Sequence, residues 1–170
     1  MRFEKISYDA FCKELFKFGP YMMDRDECEK AYQRIRLPER GTERSAGYDF
    51  VTPCGIFLLP NKNIIIPSGI KCYFSEDEGK NWHLKLYPRS SLGIKKNVIL
   101  SNGTGIIDAD YYNNPDNEGD ILISLYNFGS TGIRICSGDK VMQGIFEAYA
   151  VTENDIASGS RTGGLGSTGR

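Results

Sequence analysis

Beyond Arg36 the chain is a run of short apolar segments, each cut off by glycine, proline, asparagine or aspartate, and that punctuation excludes most folds. Segments 56–59, 63–67, 70–74, 82–87, 98–100, 121–126 and 141–151 carry strand character. Clusters such as Pro60-Asn61-Lys62-Asn63, Pro67-Ser68-Gly69 and Asn113-Asn114-Pro115-Asp116-Asn117 separate them. No helical period intervenes, so the expected architecture is an all-β sandwich, jelly roll or barrel. The 170 residues suit one domain able to bury roughly two-thirds of its unfolded surface.

The start and end of the chain break this pattern. Tyr8, Phe11, Leu15 and Phe18 recur at helical spacing, with Ser7 as the N-cap and Gly19-Pro20 as the stop. A second helix is expected to start at Asp24 and run through Tyr32, with acidic residues in its first turn suiting the helix dipole. The expected organisation is a helical extension over 1–33, a β core over 34–156 and a flexible tail over 157–170, the tail being almost wholly Gly, Ser, Thr and Arg. No internal repeat is visible.

Charge and composition exclude whole classes of partner. With 21 Lys+Arg against 22 Asp+Glu there is no broad positive field, so neither a nucleic acid polymer nor an anionic membrane surface is an expected partner. No stretch approaches the ~20 apolar residues of a membrane span, and Met1-Arg2-Phe3-Glu4-Lys5 does not open a signal peptide. A single histidine, His83, precludes a multi-histidine zinc site and is expected at the surface or an interface rather than in catalysis. The five cysteines are odd in number and lack C-x-x-C spacing, which suggests reduced packing thiols in a cytoplasmic protein and neither a structural metal nor a redox pair.

Three stretches could carry chemistry. Asn102-Gly103-Thr104-Gly105 is a glycine turn that bares backbone N–H and C=O groups, and Asp108 and Asp110 follow it. Their spacing of two is expected to place both carboxylates on one face of a strand, where they could position a water; turn-forming aspartates are the commonplace alternative. Pro88-Arg89-Ser90-Ser91-Leu92-Gly93 offers an Arg and two hydroxyls at a strand-to-turn junction, suited to phosphate, although an exposed Arg is usually a solvated charge. The tail segment from Arg161 through Gly163-Gly164-Leu165-Gly166-Ser167-Thr168-Gly169 could turn amides and hydroxyls toward an anion or be a plain linker.

Taken in order with Ser45-Ala46-Gly47-Tyr48-Asp49-Phe50 and Gly138-Asp139-Lys140-Val141-Met142-Gln143, these stretches resemble the five motifs of the trimeric dUTPase family, across roughly residue 34 onward. The resemblance implies a dUTPase-like jelly roll of β-clip type. It also implies a homotrimer with active sites shared between chains, and Mg²⁺-assisted hydrolysis of dUTP to dUMP and pyrophosphate. Asp108 would activate the attacking water, Asn102 and Gly105 would read the uracil edge, and Tyr111 would pack under the deoxyribose. Arg89, Ser90, Ser91 and Gln143 would hold the triphosphate, Asp49 would support that site through water or Arg89, and Mg²⁺ would ride on phosphates and water rather than on protein ligands. Arg161, Leu165, Gly166, Ser167 and Thr168 would close over the nucleotide. Two features depart from the family: Leu165 stands where Phe is usual, and Arg161 lies four rather than five positions before it. Residues 112–119 lengthen a hairpin turn.

Two other functions fit the same fold. A related dCTP deaminase would need a Glu where this chain has Ser124. A regulatory, protein-binding member of the fold would use the helical extension and the lengthened turn.

Overall fold

After the first strand, β1 (Arg2–Lys5), Ser7 begins the first helix, α1 (Tyr8–Phe18), because its hydroxyl accepts the Ala10 N–H. In this computed structural model residues 1–19, 24–75, 81–159, 161 and 163 are described. Helix α2 (Arg25–Gln33) opens with a capping box: the Asp24 carboxylate accepts the Glu27 N–H, and the Glu27 carboxylate accepts that of Asp24. Each such cap is worth about 1 kcal/mol. Both helices therefore begin where local side-chain chemistry predicts.

The expectation of five reduced thiols does not hold. Cys12 and Cys28, 16 residues apart, face each other across the two helices and form a disulfide with a Cα–Cα distance of 6.0 Å. C-x-x-C spacing was no guide, because two packed helices bring distant residues together. Cys54 and Cys72 are free and buried as expected, burial pushing the Cys72 thiol up to about 12, whereas Cys136 is exposed.

The body is antiparallel. After β2 (Glu39–Arg40) and β3 (Tyr48–Val51) come β4 (Ile56–Leu58), β5 (Asn63–Pro67), β6 (Ile70–Tyr73) and β7 (Asn81–Pro88). Helix α3 (Ser90–Lys96) leads to β8 (Val98–Leu100) and β9 (Gly105–Ile107), a 3-10 turn (Ala109–Tyr111), β10 (Leu122–Asn127), β11 (Ile133–Ile135) and β12 (Lys140–Tyr149). The largest sheet runs β2-β3-β12-β7-β9; smaller ones are β5-β10-β8, β11-β4 and β1-β6. Few helices and many short strands make this the all-β, jelly-roll-like fold expected from the punctuation.

Alternation decides which way each strand faces. On β7, Leu84 and Leu86 turn into the core, which also holds Phe50, Ile66, Ile123, Leu125 and Val141. Lys85 and Tyr87 turn the other way and meet Glu147 on the neighbouring β12 at 3.5 and 2.9 Å, while His83 packs beside the Tyr149 ring. The β7–β9 register, Leu84 opposite Ile107, brings His83 to the level where β9 runs into the acidic turn.

Several elements had no sequence signal. β1 has one apolar residue among charges, so alternation cannot reveal it; its register against β6, Arg2 to Tyr73 through Lys5 to Ile70, is a tertiary fact. The short β2, β3 and β11 carry no such signal either, the strand expected after the glycine turn is only β9 and stops at Ile107, and the 141–151 segment stops at Tyr149.

Candidate active site

Arg89 follows the end of β7 at Pro88 and takes the N-cap position of α3 without a side-chain capping bond, so the expected strand-to-turn junction is a helix start, with Ser90 and Ser91 exposed in its first turn. The Arg89 guanidinium donates to the Asp49 carboxylate, which also takes the Lys140 ammonium at 2.7 Å. Asp49 is buried on β3, and two cations offset the cost of burying its charge. Gln143 lies directly across from Asp49 in the β12–β3 register, its side chain against Gly47. The first, second and fourth motifs thus come together as one polar cluster. Beside it opens a basic hollow of about 370 Å³ whose lining includes Arg89, Ser91, Lys96 and Lys140. Sequence reasoning missed Lys140, which lay inside a recognised motif; strict alternation puts residues three apart on opposite faces, and a bulge between Lys140 and Met142 breaks that alternation.

The glycine turn closes as expected. Gly103 donates its N–H to Leu100 and holds φ at +72°, a conformation that glycine adopts without penalty. Asn102 and Gly105 then line a pocket of about 260 Å³ with Leu86, Leu100 and Met142 as apolar walls and Ser124 at its side. Mostly apolar walls with a few polar groups suit a small heterocycle.

Asp108 and Asp110 do not lie on a strand. β9 stops at Ile107, Asp108 precedes the 3-10 turn, and Asp110 lies within it. The turn nevertheless brings the two carboxylates together, because Arg161 bridges them: Nη2 to Asp108 Oδ2 at 2.7 Å and Nε to Asp110 Oδ1 at 2.9 Å. The acids are half exposed, at 47% and 54%, and the Arg161 side chain only 13%, so the tail residue seats itself on the turn. Its guanidinium carbon also stands 5.5 Å from the centre of the Tyr111 ring. Tyr111 is buried, its hydroxyl donating to the Asp120 carbonyl at 2.9 Å and receiving Asn117 Nδ2 at 3.0 Å. Burial raises the Tyr111 phenol above its ordinary value, partly countered by Asn117. Asn114, Asn117 and Asp120 all pack here unforeseen, since Asn and Asp in a lengthened turn read as ordinary loop residues. Leu165, Gly166, Ser167 and Thr168 lie outside the described residues. Among the described residues, no group of three His, Cys, Asp or Glu side chains could hold a metal ion, and no helix is long and apolar enough to cross a membrane.

At the level of class, this is an all-β domain of jelly-roll type whose candidate site is built on strand ends and turns. Residues 33–169 match the family model described as dUTPase, and the chain belongs to that family. It is 42% identical over 137 residues to the deoxyuridine 5'-triphosphate nucleotidohydrolase of Lactococcus lactis subsp. lactis, covering 79% of this chain and 89% of that one. The enzyme of the same name from Actinobacillus pleuropneumoniae serotype 5b is 33% identical over 141 residues, 79% of this chain and 87% of its own. The crystal structure of dUTPase from Streptococcus mutans superposes with a TM-score of 0.69 at 28% identity, covering 91% of this chain and all of that one.

Proposed function

We propose that this chain hydrolyses dUTP to dUMP and pyrophosphate by water attack at the α-phosphorus. Family membership gives the reaction; the observation that carries the assignment of roles is the Asp108–Asp110 turn set over the buried Tyr111 ring and bridged by Arg161. A half-exposed carboxylate on a fixed turn can orient a water and take its proton. Triphosphate offers Arg161 a stronger partner than the two acids, so nucleotide binding draws the guanidinium onto phosphate and frees Asp108 for the water. Uracil enters the pocket beside Asn102 and Gly105, and Tyr111 lies under the sugar. Leu86 and Met142 hold the ring by burial, while the backbone around Gly105 reads its edge. The basic hollow at Arg89, Ser91 and Lys140 takes phosphate.

Mg²⁺ fits as an ion carried by the substrate, because among the described residues no three His, Cys, Asp or Glu side chains form a preformed cage. Bound there, it would supply neutralisation of the phosphate charge, including that developing on the leaving pyrophosphate.

The base pocket and the basic hollow have no lining residue in common. Apolar Ile94 and Ile106 stand 81% and 50% exposed beside the elements that carry them. This arrangement supports a homotrimer in which one chain's hollow serves another's base pocket. Ser124, lining the base pocket, supplies no carboxylate for deamination. Reaction in ¹⁸O-water tests the chemistry: attack at the α-phosphorus puts the label in dUMP, and label found in pyrophosphate would refute it.

A further inference from the structure

The lengthened turn at 112–119 is built as tightly as a core element. Asn114 and Asn117 are buried; Asn114 Nδ2 donates to the Tyr111 carbonyl at 3.0 Å and to Asn117 Oδ1 at 2.8 Å. Asn117 in turn donates to the Tyr111 hydroxyl and accepts the Gly119 N–H at 3.1 Å. Gly119 sits at φ +84°, and a Cβ there would come within 2.7 Å of the Tyr111 carbonyl oxygen. The loop therefore grips Tyr111 by its hydroxyl, its carbonyl and the backbone just beyond it.

Glu118 closes the grip at a cost. Its φ of +58° is unfavourable for a residue with a side chain, by about 1 kcal/mol. That conformation sends its carboxylate to the first turn of α1, where it accepts the Ser7 N–H at 3.0 Å and the Ser7 hydroxyl at 2.6 Å, 111 residues away in sequence. Lys71 stands 3.7 Å off and also donates to Asn113 Oδ1 at 2.6 Å. Two further ties join the same parts: Tyr112 donates to Glu4 at 2.7 Å and Lys13 to the Asp116 carbonyl at 3.0 Å. Strain held in place by contacts from a distant element marks a device rather than a slack loop.

We infer that the 112–119 loop is a clamp that fixes the Tyr111 ring as the floor of the sugar site, that Asn117 is its positioning residue, and that the start of α1 locks it through Glu118 while β1 holds it through Tyr112. The inference rests on the proposed dUTPase role of Tyr111. It gives the N-terminal extension a task in catalysis: choosing deoxyribose over ribose. A ring that cannot sink leaves no room for a 2'-hydroxyl, whereas a loosened ring yields to it.

The test compares kcat/KM for dUTP and UTP in the wild type, Asn117→Ala, Glu118→Ala, Tyr111→Phe and Asn117→Ala/Tyr111→Phe. Expected is a drop of about tenfold in dUTP-over-UTP selectivity for Asn117→Ala, and a smaller drop for Glu118→Ala, whose side chain lies outside the pocket. The double variant should lose less than the sum of the two single losses, since both changes cut the bond between Asn117 and the Tyr111 hydroxyl. Glu118→Ala carries the test should Asn117→Ala fail to fold. Unchanged selectivity in folded variants that merely melt lower would overturn the inference. Absence of pyrophosphate release from dUTP by the wild type would overturn the functional reading, and this inference with it.

Discussion

At the scale of single residues, a few positions hold charge or polarity where none is cheap. Asp120 is fully buried, its carboxyl accepting the Gly69 N–H at 2.9 Å and the Ser68 hydroxyl at 3.3 Å. Burial pushes its pKa from 3.8 up to about 8 against those two hydrogen bonds, and the nearby buried Glu14 pushes the same way. The folded protein thus holds this proton more tightly than the unfolded chain does. Stability is greatest at pH low enough for both states to be protonated, falls as pH rises from about 4 toward 8, and levels off above. Asp120→Asn has no such proton to lose. The gap in melting temperature between variant and wild type should widen in the variant's favour from pH 6 to pH 8.5; a constant gap would mean Asp120 ionises freely. No sequence pattern announces this group, because Asp after Gly reads as a turn. Asp49 was legible as a support for Arg89 only through its motif, and its second partner, Lys140, was not legible at all.

At the scale of elements, what the sequence revealed was what is decided locally. Both helix starts follow from caps within three residues, Ser7 with Ala10 and Asp24 with Glu27, and both were readable. The helix at Ser90–Lys96 was not, because Gly93 and β-branched Ile94 weaken it and packing of Leu92 holds it. The acidic turn was misread as strand since D-A-D fits a two-residue period and a tight turn equally well. Yet the consequence drawn, two carboxylates side by side, survives through Arg161. The helix pair makes its own prediction. Closing a loop of 16 residues, the Cys12–Cys28 bond should stabilise by about 3 kcal/mol. Dithiothreitol should therefore lower the urea midpoint of the wild type and leave that of Cys12→Ser/Cys28→Ser unchanged. Equal response in the two proteins would show that the bond carries no stability.

At the scale of the whole molecule, the parts of the site are far apart in sequence and are gathered by three devices. β12 brings Gln143 across from Asp49, the glycine turn at Gly103 between β8 and β9 sets the base pocket, and the tail returns Arg161 to the acidic turn. The motifs were legible because each is a short run with its own backbone chemistry. Their convergence was not, being fixed by strand register and by the α1–Glu118 tie. Deleting residues 160–170 should leave sedimentation as a trimer intact while pyrophosphate release falls to a small residue of the full-length rate. Loss of the trimer would show that the tail is a structural strap instead. The central claim, that Asp108 activates water against dUTP, is tested most directly by following pyrophosphate release with Mg²⁺ from dUTP, dCTP and UTP, in the wild type and in Asp108→Asn. Release from dUTP alone, lost by at least about a thousandfold in the variant, is the predicted result. Release from dUTP that persists in Asp108→Asn would contradict it.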